Sequence, residues 1–137
     1  MPDSQRNTLA KYRLAKSTEC SLVANSLIME GHYNHSINRS YYAIYHVIRS
    51  VLALEGVDFK KHSGVISYFQ QHYIKTGIFE RKYSEYIKEA FSIRTDSDYK
   101  DFYIVSKEDA QEQLDHACQF INAVEDYIAC AKDSIII

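Results

Sequence analysis

The chain has 137 residues and a net charge of −2, with 46% hydrophobic and 25% charged residues, a composition typical of a single globular domain over residues 1–137. No apolar run reaches the roughly 18 residues that a membrane helix needs, so the sequence predicts a soluble protein without a membrane contact. The balanced charge excludes a positive field over the whole surface, and any nucleic-acid contact is expected to be local.

Glycines divide the chain into helical segments. The only proline is Pro2, and Gly31, Gly56 and Gly77 each follow a stretch long enough for a helix, where a left-handed C-terminal cap favours glycine. The sequence therefore predicts helices at about residues 7–30, 35–55, 62–75, 80–97 and 107–131. The tyrosine- and aspartate-rich residues 98–105 are predicted to form a loop.

Apolar side chains at helical spacing indicate which faces are buried. The first helix has a broad stripe of uncertain register: Leu9, Tyr12, Ala15, Leu22, Val23 and Leu27. The second and fifth helices have regular stripes: Ile37, Tyr41, Ile44, Ile48 and Val51, then Ala110, Leu114, Ala117, Ile121, Val124, Ile128 and Ala131. Ser106 and Asp109 resemble a capping box at the start of the fifth helix. Long helices joined by short loops predict an all-α, antiparallel up-and-down four-helix bundle with a short additional helix.

The second helix also has a polar face. Asn38, Tyr42, His46 and Arg49 are spaced by four, four and three residues, and Arg39 lies beside them. A solvated surface is the simplest interpretation of any one of these residues. Tyrosine and histidine are unusual on a purely solvated face, however, so the set also predicts a binding site.

In the fourth helix, Arg94 continues the apolar stripe of Tyr83, Ile87 and Ala90, and Asp98 follows four residues later. A buried guanidinium needs a partner, which Asp98 supplies if the helix extends that far. The pair is then either a structural ion pair or a site where the arginine binds a phosphate.

Other motifs point to a weak anion site and away from metals. His62 follows Lys60 and Lys61 at the start of the third helix, where free amide groups also favour an anion. The six histidines show no HExxH or similar pairing, and no GxSxG, P-loop or dinucleotide motif is present. The odd cysteines Cys20, Cys118 and Cys130 form no CxxC pair and predict reduced thiols in a cytoplasmic protein. We expect no metal site and no cofactor.

Three blocks of sequence carry a family resemblance: NRSYYAIYH at residues 38–46, KHSGVI at 61–66, and Arg94 followed by Asp98 and Tyr99. In this order, over most of the chain, they resemble the HEPN domain family, and more closely its small stand-alone branch that often accompanies a minimal nucleotidyltransferase. The resemblance implies an antiparallel helical bundle, frequently a homodimer, that works with the nucleotidyltransferase as a toxin–antitoxin module.

Many members of the wider family are metal-independent ribonucleases in which a histidine follows an arginine after four to six residues, and two such motifs meet across a dimer. Here Tyr99 stands five positions after Arg94, where that histidine would fall. Arg39 and His46 have the required spacing, but they lie on the second helix, outside the family's catalytic block. Ribonuclease activity is therefore left open.

The leading hypothesis is a module that binds a nucleotide, RNA or a nucleotidyltransferase partner. Its candidate site residues are Asn38, Arg39, Tyr42, His46, His62, Arg94, Asp98 and Tyr99. One alternative is a ribonuclease toxin in which Arg94 stabilises phosphate charge and His46 or His62 transfers a proton. Another is a structural subunit whose exposed stripe builds an oligomer.

Overall fold

The computed structural model describes the backbone of residues 3–136 and the side chains of residues 3–131. The helices are α1 (Asp3–Met29), α2 (Tyr33–Glu55), α3 (His62–Phe69), α4 (Lys82–Tyr99) and α5 (Lys107–Ile136), and a π-helical turn, Gln70–Ile74, continues α3. The four long helices form the antiparallel bundle, and α3 is the short additional helix. The prediction of an all-α bundle is confirmed.

Helix α2 is the centre of the bundle, because it contacts each of the other four helices. All five members of its predicted apolar stripe are buried. The helix ends at Gly56, whose φ of 73° lies in the left-handed region that favours glycine. There the Gly56 amide donates to the Ala53 carbonyl oxygen at 3.0 Å. The local sequence therefore determines which face of α2 is buried and where the helix ends.

Helix α5 begins as its sequence predicts. The Asp109 amide donates to Ser106 Oγ at 3.0 Å, and the Ser106 amide donates to Asp109 Oδ2 at 3.3 Å. These reciprocal bonds satisfy amide groups that have no partner within the helix. The six stripe residues from Ala110 to Ile128 are buried.

Helix α1, whose register the sequence left open, does not bury its broad apolar stripe. Tyr12 and Leu22 are 60% and 64% exposed, while the buried side chains are mostly small or polar. The Ser17 hydroxyl donates to the Ala43 carbonyl oxygen at 2.6 Å, and the Ser36 hydroxyl donates to the Ala24 carbonyl oxygen at 2.9 Å. Small side chains allow α1 and α2 to approach closely, so packing distance rather than hydropathy selects the face.

Helix α4 extends further than the sequence predicted. It continues to Tyr99, so the loop starts at Lys100 rather than at Asp98, and the Lys100 amide still donates to the Asp96 carbonyl oxygen at 3.0 Å. The two extra residues keep Asp98 within the helix, one turn after Arg94. Among the described residues, none of the helices combines the length and apolar character that crossing a bilayer requires.

Candidate phosphate-binding site

A group of aromatic and basic side chains lies where the polar face of α2 meets the start of α3 and the second half of α4. We call this group the basic–aromatic cluster. It consists of Arg39, Tyr41, Tyr42, Tyr45, His46, Arg49, His62 and Arg94. Six of its members come from α2 within about three helical turns, because residues three and four positions apart share a helix face.

Arg94 joins α4 to this cluster. Its guanidinium carbon lies 4.9 Å from the centre of the Tyr41 ring and 5.5 Å from that of Tyr42. Its Nε atom is 3.1 Å from Asp98 Oδ2, but the N–H does not point at that oxygen, so the contact is an ion pair without a hydrogen bond. The side chain is 20% exposed. Arg94 is therefore held in place with hydrogen-bond donors still available.

His62 lies against the tyrosines of α2. A hydrogen bond of 3.0 Å joins its Nδ1 to the Tyr41 hydroxyl, and its ring stacks on Tyr45 with centres 3.9 Å apart. Burial, followed by the charges of Arg94 and Arg49, lowers the pKa of His62 below its ordinary value of 6.5. The imidazole is therefore neutral at neutral pH and can accept a proton.

His46 lies one turn after Tyr42, with the two ring centres 6.0 Å apart. Burial first, and then the charges of Lys16 and Arg49, lower its pKa to about 4. Its Nδ1 atom is buried, and no described residue forms a hydrogen bond with it. His46 is thus uncharged at neutral pH and contributes no positive charge of its own.

Arg39 reaches the same tyrosine from the other side of the cluster. Its guanidinium carbon lies 5.2 Å from the centre of the Tyr42 ring, and Asn38 Oδ1 accepts a 2.8 Å hydrogen bond from its Nη2 atom. Asn38 holds the guanidinium in place but leaves its charge intact. Tyr42 is therefore in contact with two arginines, Arg39 and Arg94, whose guanidinium carbons lie 5.2 and 5.5 Å from its ring centre.

A second pair of arginines meets at Asp58. Arg13, which is largely buried on α1, and Arg49 donate to Asp58 Oδ2 at 3.2 and 3.0 Å. Arg49 also lies 5.8 Å from the centre of the Tyr45 ring, which places this network next to His62. Among the described residues, the ion pairs of the four guanidinium groups in and around the cluster involve two carboxylates, those of Asp58 and Asp98, so the site has a local excess of positive charge.

The sequence matches the HEPN domain family over residues 10–127. The chain belongs to the HEPN domain family. It is 26% identical over 129 residues to a "UPF0332 protein" of Thermotoga maritima, covering 94% of this chain and 98% of that protein. It is also 31% identical over 117 residues to a "Putative toxin" of Methanocaldococcus jannaschii, covering 85% of this chain and 80% of the relative. A "UPF0332 protein" of Pyrococcus horikoshii is 41% identical over 73 residues, about half of each chain.

In this HEPN domain, seven of the eight candidate residues lie together. They are Asn38, Arg39, Tyr42, His46, His62, Arg94 and Asp98. Tyr99 lies apart: its side chain is 78% exposed, and no ring contact or side-chain hydrogen bond joins it to the described residues. Successive residues of an α-helix are rotated by about 100° about the helix axis, so the side chain of Tyr99 points away from α2 although that of Asp98 does not.

Sequence reasoning missed the Arg13–Asp58–Arg49 network of this HEPN domain and the parts that Tyr41 and Tyr45 have in the site. Arg13 and Asp58 are 45 residues apart, and no local pattern connects them. Tyr41 was assigned to the apolar stripe, where it does lie, but its hydroxyl reaches His62 at the edge of the core. A tyrosine within an otherwise aliphatic stripe is the one signal that pointed to this role, since a buried hydroxyl needs a partner.

Proposed function

We propose that this HEPN domain binds phosphate groups of a nucleotide or of RNA at the basic–aromatic cluster. The observation that carries the proposal is the position of Arg94, which rests on Tyr41 and Tyr42 with donors available. The excess of guanidinium groups over carboxylates favours an anion.

Binding of a labelled single-stranded RNA of about 12 nucleotides, and of AMP, tests the proposal. Arg94→Gln removes the charge while keeping a long polar side chain, and we expect about tenfold weaker binding or more. Arg81→Gln is the matched control, because Arg81 is exposed at the other end of α4. The proposal is wrong if the wild-type chain binds neither probe, or if both variants bind like the wild type.

The proposal includes a place in a toxin–antitoxin system, with a nucleotidyltransferase as the partner. It is supported by the two relatives from Methanocaldococcus jannaschii named "Putative toxin" and by the resemblance of the three sequence blocks to the stand-alone branch of the family. We expect induced expression in a bacterial host to slow growth, Arg94→Gln to relieve the effect, and a nucleotidyltransferase encoded next to the gene to co-purify with the chain. Normal growth together with no co-purification would count against this part of the proposal.

RNA cleavage is a second candidate function, favoured by the neutral His62 near Arg94. His62 would take the proton from a ribose 2′-hydroxyl, whose oxygen would attack the adjacent phosphorus. Arg94 would stabilise the charge on the phosphate, and the 5′-oxygen would leave with a proton from water, giving a 2′,3′-cyclic phosphate. Cleavage in the presence of EDTA that His62→Gln abolishes would establish this activity. Binding without cleavage would leave the domain a binding module.

We also propose that the functional unit is a homodimer. Phe102 and Ile104, in the segment that joins α4 to α5, are 99% and 86% exposed, while their neighbours Tyr103 and Val105 pack inward. Tyr99 and Phe91 add apolar surface on the neighbouring helix, so this face is suited to a second copy of the chain. Light scattering coupled to size exclusion tests this proposal, and a monomer at all concentrations would refute it.

A further inference from the structure

Outside the basic–aromatic cluster, three side chains of metal-ligand type meet between α4 and α5. Glu112 and His116 lie one turn apart on α5, and Glu89 faces them from α4. One donor atom from each residue lies within 4.8 Å of the other two. The distance between His116 Nε2 and Glu112 Oε1 is 3.8 Å. Ligand atoms lie about 2.0 to 2.2 Å from a metal ion, so donor atoms as close together as these can reach one ion after small side-chain rotations.

The two carboxylates of this group have no basic side chain to neutralise them. Within residues 3–131, no lysine or arginine forms an ion pair with Glu89 or Glu112. Two carboxylates that share a site repel each other unless a proton or a cation lies between them. Lys107 lines the same groove without pairing with either carboxylate, and a metal ion would use the neutral form of His116.

The residues around the group hold it in shape. Gln113 is only 2% exposed, and its Nε2 donates to Glu89 Oε1 at 2.8 Å, which leaves the other carboxylate oxygen for a ligand. The Oε1 atom of Gln113 is buried beside Glu89, and no described residue donates to it. The His116 ring is fixed by stacking on Tyr86, with ring centres 3.8 Å apart. A hydrogen bond such as the one from Gln113 to Glu89 orients a metal ligand in proteins.

An ion can reach the group from solvent. The Glu112 side chain is 58% exposed, and it lines an open surface groove together with His116. One imidazole and two carboxylates suit a divalent first-row transition metal rather than Mg²⁺, which prefers oxygen ligands alone.

We propose that Glu89, Glu112 and His116 bind one divalent transition-metal ion, such as Zn²⁺, which fastens α4 to α5. The sequence predicted no metal site, because two of the ligands form only a Glu-x-x-x-His pair and the third lies 23 residues earlier on another helix. The proposal does not depend on phosphate binding, since none of the three ligands belongs to the basic–aromatic cluster.

Zinc titration tests the site, with binding measured by calorimetry and stability by thermal unfolding. The chain should carry Cys118→Ser and Cys130→Ser, because both thiols are exposed and bind zinc themselves. We expect one ion per chain and a melting temperature raised by about 4 °C or more at saturation. Affinity weaker than about 1 mM, or an unchanged melting temperature, would overturn the proposal.

Glu112→Gln in the same background is the decisive variant. More than half of this side chain is exposed, so the substitution removes a ligand without disturbing the core. We expect at least about tenfold weaker zinc binding and loss of most of the thermal shift. His35→Ala is the matched control, because His35 is an exposed histidine near a second one, His32, on another part of the surface. Equal binding by wild type and Glu112→Gln, or an equal loss in His35→Ala, would refute the assignment.

Discussion

The charge state of His46 gives a direct test of the electrostatics of the basic–aromatic cluster. The folded chain holds its pKa at about 4, against 6.5 in an unfolded chain, through burial and the nearby charges of Lys16, Arg49, Arg39 and Arg13. Between these two pH values His46 is protonated in the unfolded chain but not in the folded chain. Stability must therefore fall as pH is lowered from 6.5 towards 4, and it gains nothing from this residue above pH 6.5.

The magnitude follows from the size of the shift. A difference of this size corresponds to about 3 kcal/mol if it is fully expressed, and solvent screening at a half-buried side chain reduces it to about 1–2 kcal/mol at pH 4.5. His46→Gln has no titrating group at this position. We therefore expect the variant to lose about 1–2 kcal/mol less unfolding free energy than the wild type between pH 7 and pH 4.5.

Urea denaturation at a series of pH values measures this difference. The comparison between variants isolates His46, because every other titrating group, including His62, is common to both proteins. His35→Gln is the matched control, since it removes an exposed histidine from the same helix. The reasoning fails if wild type and His46→Gln lose stability in parallel, or if His35→Gln shows the same reduced loss.

Three further substitutions test packing, charge and association. Phe120→Ala empties a fully buried position and should lower the free energy of unfolding by about 3–5 kcal/mol, measured by urea denaturation. Asp98→Asn removes the carboxylate paired with Arg94 and should strengthen RNA binding several-fold, measured by fluorescence anisotropy; weaker binding would show that the pair itself positions the arginine. Phe102→Gly relieves a φ of 62° that suits glycine better than phenylalanine, so it should stabilise the monomer by about 1 kcal/mol while weakening self-association in sedimentation measurements.

The elements of the bundle could be predicted because their signals are local. Gly56 ends α2, the Ser106–Asp109 pair begins α5, and both helices bury regular stripes. The face of α1 could not be predicted in the same way. Its contact with α2 depends on how closely two backbones approach, and this favours Ser17 over Leu22 although leucine is far more apolar.

Sequence spacing identified candidate site residues within each helix but not the contacts between helices. The spacing of Arg94 and Asp98 indicated a pair, and the structure contains one. Which helix Arg94 faces depends on the packing of α4 against α2, so its stacking on Tyr41 was not visible in the sequence. The same holds for the metal ligands, because Glu89 meets Glu112 only through the contact of α4 with α5.

In the basic–aromatic cluster, tyrosine rings hold arginine side chains in place without neutralising their charge. A carboxylate that fixes an arginine also offsets its charge, and Asp58 offsets half of the combined charge of Arg13 and Arg49. A ring face fixes the guanidinium through its quadrupole and leaves the net charge in place. Arg39, which is held by Tyr42 and the neutral amide of Asn38, is therefore both ordered and uncompensated. An anion that binds there meets a positioned donor without first displacing a competing carboxylate, which explains why aromatic residues recur along this face of α2.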